Sequence, residues 1–227
     1  MQRGGALLRE VARTGGGLRR CHYRITLRVW WHSTEEALLS KFAEQPVEPL
    51  AINLDREGLA LWPEGPVLTR RLSALEHLFA DTVAWRNAVE AGDPVVYTVR
   101  SSPVPELKAE LPQSVTTILP GAIAGEFYMT KGHQHQNLEG EMYLGIEGTG
   151  GLLMFNGRNV RWLDMKPDTI GYIPPGWAHR SVNTGAEPYS FLAVYPGDAG
   201  HDYEWVREHG FGSRVFRGDK APQLLPY

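Results

Sequence analysis

The sequence lacks the features of several protein classes. Its single cysteine, Cys21, excludes a disulfide scaffold within the chain and a zinc cluster built on thiolates, and it fits a reducing compartment. No apolar run approaches the roughly 18 residues that a membrane span requires. The 227 residues carry 23 basic and 26 acidic side chains, so the overall charge does not favour nucleic acid or an anionic membrane as a partner. We expect a soluble, cytoplasmic protein.

The beginning of the chain differs from the rest. Residues 1–31 contain seven arginines and one acid, Glu10, together with glycine runs and no hydrophobic period. A transit-like presequence, a nucleic-acid arm or a stretch without a role in the fold all fit this composition. No continuous apolar segment follows the charges, which disfavours a secretory signal. We interpret residues 1–45 as a basic, disordered or dispensable extension and residues 46–227 as a single domain.

The most helical pattern lies in the segment 71–92. Ser73 and Glu76 have the spacing of a capping box, and the run Gly92-Asp93-Pro94 ends the pattern. The apolar residues expected to share one helical face are Leu75, Leu78, Phe79 and Val83. We predict a short helical segment near residues 73–91.

From Val95 onward the pattern is that of strands. Short runs rich in β-branched, aromatic or aliphatic residues recur at 95–99, 151–155, 169–173 and 190–195. Glycine, proline or asparagine separates them. Many short strands with few helices predict an all-β sandwich or barrel of the jelly-roll kind, preceded by a helical or extended segment.

The stretch TKGHQHQNLEGEMYLG, residues 130–145, contains a candidate metal site. On a strand, His133 and His135 project to the same side, where both imidazoles can bind one ion. Imidazole suits zinc, iron, manganese and copper, and an added carboxylate shifts the preference toward redox-capable or octahedral metals. A lone His-x-His pair is weak evidence by itself, so a further ligand elsewhere is needed.

The second stretch, IPPGWAHRSVN, residues 173–183, supplies a third histidine. Pro174, Gly176, His179 and Asn183 fit the second motif of the cupin superfamily, which the two stretches together resemble. Asp168 stands where that motif has a glycine, and aspartate tolerates turn geometry. The resemblance implies a cupin jelly-roll β-barrel.

The first cupin motif leaves two glutamates as candidates. Glu139 has the expected spacing from His135, whereas Glu141 has a longer gap but places Gly148 correctly. We favour Glu141 because it begins a strand-like run and shares a face with Tyr143. Glu139 is expected in the preceding turn as a solvated acid.

A closer resemblance extends from about residue 51 to about residue 215. The runs DPVVYTV, TTILPG, TKGHQH, EMYLG, YIPPGWAHRSVN and FLAVYPGDAGHDY are similar to those of the cupin-type glucose-6-phosphate isomerases of archaea and some bacteria. The resemblance implies a metal-dependent, homodimeric enzyme that interconverts glucose 6-phosphate and fructose 6-phosphate in glycolysis and gluconeogenesis.

The resemblance also implies a metal centre. The ligands would be His133, His135, Glu141 and His179. Such a set leaves two positions for substrate on one octahedral divalent ion per subunit. Fe2+ is the favoured ion, and Mn2+, Zn2+ and Ni2+ remain open because this donor set admits them all.

Substrate contacts carry over from the same resemblance. The residues implied for substrate and phosphate binding are Tyr97, Thr117, Thr130, Gly132 and Tyr195, and those implied for catalysis are Glu141, Tyr143 and His201. Lys131 has the charge for a phosphate, but strand alternation could turn it outward. Without the resemblance, strand tyrosines are packing residues, Thr130 is a β-former and His201 is a surface histidine.

Other functions stay open. A metal-dependent cupin oxygenase would use the same ligands with iron, and a non-catalytic sugar-binding cupin would need no competent metal. A phosphomannose isomerase, or some turnover of mannose 6-phosphate, is a nearer alternative. Proton transfer through Glu141 and a direct hydride shift both fit the residues.

Overall fold

Hydrophobic alternation organises the chain around one large antiparallel sheet. The computed structural model describes residues 47–227. The sheet has six strands, which in spatial order are β11 (Ile170–Ile173), β8 (Glu141–Glu147), β13 (Tyr189–Val194), β5 (Gln113–Ile118), β4 (Val95–Ser101) and β3 (Val67–Arg71). On β5, Thr116 and Ile118 point to one face and Val115 and Thr117 to the other. The inner face of this sheet carries the candidate site.

Smaller sheets complete the architecture. A three-stranded sheet contains β10 (Val160–Met165), β9 (Gly150–Phe155) and β12 (Ala178–Asn183), in that order. A four-stranded sheet contains β15 (Gln223–Pro226), β14 (Ser213–Phe216), β7 (Glu126–Phe127) and β6 (Ala122–Ile123). A hairpin contains β1 (Asn53–Asp55) and β2 (Ala60–Trp62). The expected all-β jelly roll is confirmed, and the four predicted runs lie on β4, β9, β11 and β13.

The main core lies between the sheets. Phe191 of β13, Leu152 of β9 and Val182 of β12 are at most 2% exposed and belong to one hydrophobic cluster. A smaller cluster contains Val115 and Leu61, on the face of the large sheet opposite Thr116. Burial on both faces of the large sheet fixes its register, because a slip of one residue would exchange the two faces.

The predicted helix near 73–91 is divided in the structure. A 3-10 helix, Leu72–Leu75, precedes the helix α1, Thr82–Glu90, and the N-cap of α1 is Asp81. The capping box at Ser73 was therefore wrong, since the Ser73 amide donates to the Asp93 carboxylate at 2.7 Å. Val83 also lies outside the core, at 62% exposed, whereas Trp85 is buried. A second helix, α2 (Tyr203–His209), was missed within the region assigned to strands.

Two further expectations concern the beginning of the chain and the absence of a membrane span. The interpretation of residues 1–45 as an extension falls outside the described residues. Within residues 47–227, no helix is long and apolar enough to cross a membrane.

Candidate metal centre

The two histidine-containing stretches meet through backbone pairing. His133 lies in an extended segment between β7 and β8 and forms an isolated antiparallel bridge with His179 at the start of β12. The His179 amide donates to the His133 carbonyl at 2.9 Å, and the reverse bond is 3.2 Å. The segment is thus extended, but it is paired by isolated bridges rather than being the regular strand we expected.

Gly132 permits this close pairing. Its φ is 72°, a left-handed value that favours glycine. A Cβ at this position would lie 2.6 Å from the Phe211 ring and 2.9 Å from the His179 carbonyl oxygen. A side chain here would therefore push the two stretches apart and displace His133.

Four potential ligands converge at this junction. One nitrogen or oxygen atom from each of His133, His135, Glu141 and His179 lies within 4.8 Å of the others. Oε2 of Glu141 is 3.2 Å from Nε2 of His135 and 3.0 Å from Nε2 of His179. The carboxylate of Glu139 is not part of this group. All four members except half-buried His133 are buried.

Backbone carbonyls orient two of the imidazoles. Nδ1 of His135 lies 2.9 Å from the carbonyl oxygen of Glu139, and Nδ1 of His179 lies 3.2 Å from that of Trp177. A carbonyl can only accept, so each Nδ1 carries a proton, and in the neutral imidazole each Nε2 presents a lone pair to the centre of the cluster. Glu139 therefore contributes its backbone, not its carboxylate.

The inner atoms of the cluster fit a cation. Within the described part of the chain, Glu141 Oε2 and His179 Nε2 are buried and have no hydrogen-bond partner. With His179 neutral, both atoms carry lone pairs, so at 3.0 Å they repel each other unless a proton or a metal cation lies between them. A divalent metal with nitrogen and oxygen ligands would satisfy both atoms, and the donor set suits such an ion.

The pKa directions of His133 and Glu141 agree with a ligand set, whereas a metal ion would have to displace a proton from His135. Burial, reinforced by His179, His201 and His135, lowers the pKa of His133 well below its usual value, which keeps this imidazole neutral. Burial opposes the charge on Glu141, but its close contacts with His135 and His179 outweigh this and lower its pKa. For His135, burial is likewise outweighed by Glu141 and the Glu139 carbonyl, so its pKa is raised. Glu141 is therefore ionised at neutral pH.

The cluster forms one wall of a cavity of about 420 Å³, the metal-site cavity. The structure brings most of the residues that the sequence suggested to its lining: Tyr97, Thr130, Gly132, His133, Glu141, Tyr143, His179, Tyr195 and His201. His135 is in the cluster but does not line the cavity. The Tyr143 ring stacks on Phe191, with centroids 4.4 Å apart, which fixes it beside the cluster.

Thr117 is not brought to this cavity. Its side chain is on the opposite face of β5, where Oγ1 lies 2.9 Å from the hydroxyl of Ser190. Its neighbour Thr116 is 5% exposed and lines the cavity instead. The motif contains two adjacent threonines, and only the register of β5 decides which one faces inward.

The sequence did not indicate several further lining residues, among them Arg70, Glu106, Ser114 and Tyr203. Lys131 also lines the cavity, with Nζ 4.1 Å from the centre of the Tyr203 ring, so it does not turn away as strand alternation suggested. The Tyr195 hydroxyl donates to Glu106 at 2.9 Å. Adjacent arginines at 70 and 71, one of which must face inward on a strand, were the available signal for Arg70.

Comparison with known proteins assigns the family. A family model described as glucose-6-phosphate isomerase (GPI) matches residues 69–221. The chain belongs to the glucose-6-phosphate isomerase family. It is an enzyme, and its β-barrel and histidine motifs place it in the cupin type of this family.

The matches to relatives in the glucose-6-phosphate isomerase family extend over most of the length of each relative. The glucose-6-phosphate isomerase of Thermococcus litoralis is 42% identical over 74% of this chain and 89% of that protein. The Pyrococcus horikoshii enzyme is 44% identical over the same shares, 74% and 89%. The Sinorhizobium medicae enzyme is 35% identical over 74% of this chain and 79% of its own. A solved structure of Bacillus subtilis oxalate decarboxylase matches 45% of this chain and 26% of its own, with 24% identity and a TM-score of 0.38.

Proposed function

We propose that this enzyme interconverts glucose 6-phosphate and fructose 6-phosphate with one divalent metal ion per subunit, bound by His133, His135, Glu141 and His179. The observation that carries the proposal is the convergence of four potential ligand atoms at the wall of a cavity of about 420 Å³, two of which are buried and have no hydrogen-bond partner among residues 47–227. Relatives that share 42% and 44% identity are glucose-6-phosphate isomerases. This similarity favours an isomerase over an oxygenase or a non-catalytic sugar-binding protein.

The bound ion would supply Lewis-acid chemistry, stabilising the negative charge that develops on a substrate oxygen during isomerisation. Fe2+ is our favoured ion, and the three imidazoles and one carboxylate also suit Mn2+, Zn2+ and Ni2+. The four ligand atoms already lie close together in a largely buried wall, so the side chains would need little rearrangement to bind the ion.

Glu141 is the leading candidate for the group that moves a proton between C2 and C1. Its Oε2 atom is at the cluster, and its lowered pKa keeps it unprotonated at neutral pH. A lower pKa also makes it a weaker base, so the reaction requires that the C2 proton be acidified. A hydride shift, with Glu141 only a ligand, is the competing mechanism.

Two further catalytic groups differ in their protonation. Burial, reinforced by Glu141, raises the pKa of Tyr143 well above its usual value, so its hydroxyl remains a donor at neutral pH. Burial lowers the pKa of His201, so its imidazole is neutral and can accept a proton from a sugar hydroxyl. Burial also raises the pKa of Tyr97, which makes it a second hydroxyl donor in the cavity.

Hydroxyl and amide groups would bind the phosphate together with Lys131 and Arg70. Oγ1 of Thr130 accepts a hydrogen bond from the Ser181 amide at 3.1 Å, which leaves the hydroxyl hydrogen free to donate. The inward-facing Thr116 would donate in the same way. The Tyr195 hydroxyl donates to Glu106, so it would have to break this hydrogen bond before it could donate to the phosphate.

The proposal also covers the oligomeric state, the cellular location and a second substrate. A homodimer is supported by the resemblance to the cupin-type isomerases, and the single cysteine fits a cytoplasmic enzyme. Some turnover of mannose 6-phosphate is compatible with the site, because this sugar differs at the carbon that loses hydrogen.

A coupled assay tests the reaction. Glucose 6-phosphate formed from fructose 6-phosphate is oxidised by glucose-6-phosphate dehydrogenase, and the rate is followed through the reduced nicotinamide. We expect turnover that a chelator abolishes and that Fe2+ or Mn2+ restores. Activity that survived exhaustive chelation would contradict the metal dependence, and oxygen consumption without turnover would support the oxygenase.

Metal content tests the ligand assignment. We expect that replacing His133, His135 and His179 together by alanine will remove bound metal, because one carboxylate is left to hold the ion. The measurement is elemental analysis of purified protein, with alanine at the exposed His209 as the matched control. Retention of near one equivalent of metal by the triple variant would refute the assignment.

A further inference from the structure

A second cavity lies beside the metal-site cavity and has no role in the proposed reaction. Its volume is about 590 Å³, and it shares Lys131, Gly132 and Tyr203 with the metal-site cavity as a common wall. We call it the basic cavity because four cationic side chains line it, Lys131, Arg180, Arg207 and Arg214, against two acidic ones, Glu76 and Glu204.

Arg180 is the unusual member of this lining. The residue is only 4% exposed, and its guanidinium carbon lies 4.2 Å above the Phe211 ring. One terminal nitrogen donates to the Lys131 carbonyl at 2.8 Å, and the other contacts the sulfur of Met129 at 3.2 Å. Its Nε has no hydrogen-bond partner within residues 47–227. Within that range, this cavity-lining side chain therefore has one buried donor without an acceptor.

Among residues 47–227, the positive charge of Arg180 also has no ion-pair partner. No ion pair in the described part of the chain includes it. Two acids near it pair with other arginines: Glu126 pairs with Arg214 at 2.9 Å, and Glu204 pairs with Arg207. Burial lowers the pKa of Arg180, and Tyr227 and Glu126 offset this only in part. A buried cation without a counter-charge is costly, and an anion in the cavity would remove that cost.

We propose that the basic cavity is a second anion-binding site, in which Arg180, assisted by Arg207, binds a small molecule bearing a phosphoryl or carboxylate group. The guanidinium presents planar donors that match either group. This site goes beyond the proposed function, because the metal and the sugar phosphate occupy the other cavity.

Calorimetric titration of the full-length, metal-loaded protein tests the proposal. The probes are inorganic phosphate and succinate, each titrated with and without saturating fructose 6-phosphate, which occupies the metal-site cavity. We expect one of the two probes to bind at about one equivalent in the presence of the sugar phosphate, and the tighter probe identifies the ligand class. Loss of all probe binding when fructose 6-phosphate is present would overturn the proposal.

Substitutions locate the probe. Arg180→Gln should weaken binding at least about tenfold, as expected for loss of a charge-assisted contact. Arg207→Gln should weaken it about threefold, and this exposed residue keeps the test informative if Arg180→Gln fails to fold. Arg86→Gln, which removes an exposed charge on α1, is the matched control and should bind the probe normally. Unchanged binding by both the Arg180 and Arg207 variants would refute the site.

The outcome is separable from that of the proposed function. A protein that turned over no sugar phosphate but bound the probe in a manner dependent on Arg180 would remove the isomerase proposal and leave the second site standing. A protein that isomerised normally but bound no probe would do the reverse.

Discussion

Glu139 and Glu141 illustrate how position, rather than residue type, assigns a role. Both are glutamates in the same motif, and each has one feature of the expected spacing. The Glu141 side chain is 4% exposed and has Oε2 at 3.0 Å from His179, whereas Glu139 offers its carbonyl to His135. The Glu141 carboxylate thus joins the histidine cluster, and Glu139 orients an imidazole through its backbone.

We predict that Glu141→Gln will lower the isomerisation rate at least about 100-fold if Glu141 is the base, because general base catalysis contributes about 10² to 10⁴. The amide oxygen can still bind the ion, so much of the metal should be retained. The matched variant Glu139→Gln should change the rate little, since its carbonyl is unaltered. Steady-state kinetics and elemental analysis measure both effects.

Isotope transfer separates the two mechanisms. With deuterium at C2, proton transfer through a carboxylate allows exchange with solvent, whereas a hydride shift delivers the deuterium to C1. Near-normal turnover by metal-bound Glu141→Gln, with complete transfer to C1, would favour the hydride shift. If Glu139→Gln were instead the damaging change, the wrong glutamate would have been assigned.

The threonine pair on β5 gives a second residue-scale prediction. Thr116→Val should lower kcat/KM for the sugar phosphate about tenfold or more, because a hydrogen bond to a charged group contributes about 1.5 to 3 kcal/mol. Thr117→Val, on the opposite face, should leave kcat/KM nearly unchanged. Phosphate-free fructose should show no difference between the two variants, and a larger loss at Thr117 would contradict the register.

At the scale of elements, strands were predicted better than helices. Alternation and the turns at glycine and proline gave β4, β9, β11 and β13 to within two residues at each end, because each side of these strands packs differently. The segment before β4 was harder to predict. Ser73 and Glu76 have helix-capping spacing, but Asp93, distant in sequence, bonds the Ser73 amide and hydroxyl. Such a tertiary contact leaves no local signal.

The true cap of α1 is testable. Asp81→Ala should lower the free energy of unfolding by about 1 kcal/mol, since its carboxylate accepts from the Ala84 amide at 2.8 Å. Glu76→Ala should change it by less than about 0.5 kcal/mol, as expected for a surface site without a cap. Urea unfolding followed by tryptophan fluorescence measures both. Equal effects of the two changes would restore the capping box at Ser73.

At the scale of the whole molecule, the sequence predicted the cluster because two motifs supply its ligands. The shape of the cavity around these ligands could not be predicted from the sequence, because it depends on how β3, β5, α2 and the loop bearing Glu106 pack. Tyr203 shows the reason. It lies on a helix that the strand pattern hid, and it reaches the cavity only through the tertiary fold.

The extent of the catalytic unit gives the last prediction. The family match begins at residue 69, and the first residue that lines the metal-site cavity is Pro66. We therefore expect removal of residues 1–40 to leave kcat/KM for fructose 6-phosphate within about twofold, since such terminal segments commonly tolerate truncation. Kinetics of the truncated and full-length proteins, with metal content as a control, measure this. A truncated protein that folded and bound metal but had lost its activity would assign those residues a catalytic role. Altered cellular location with unchanged activity would instead favour a presequence.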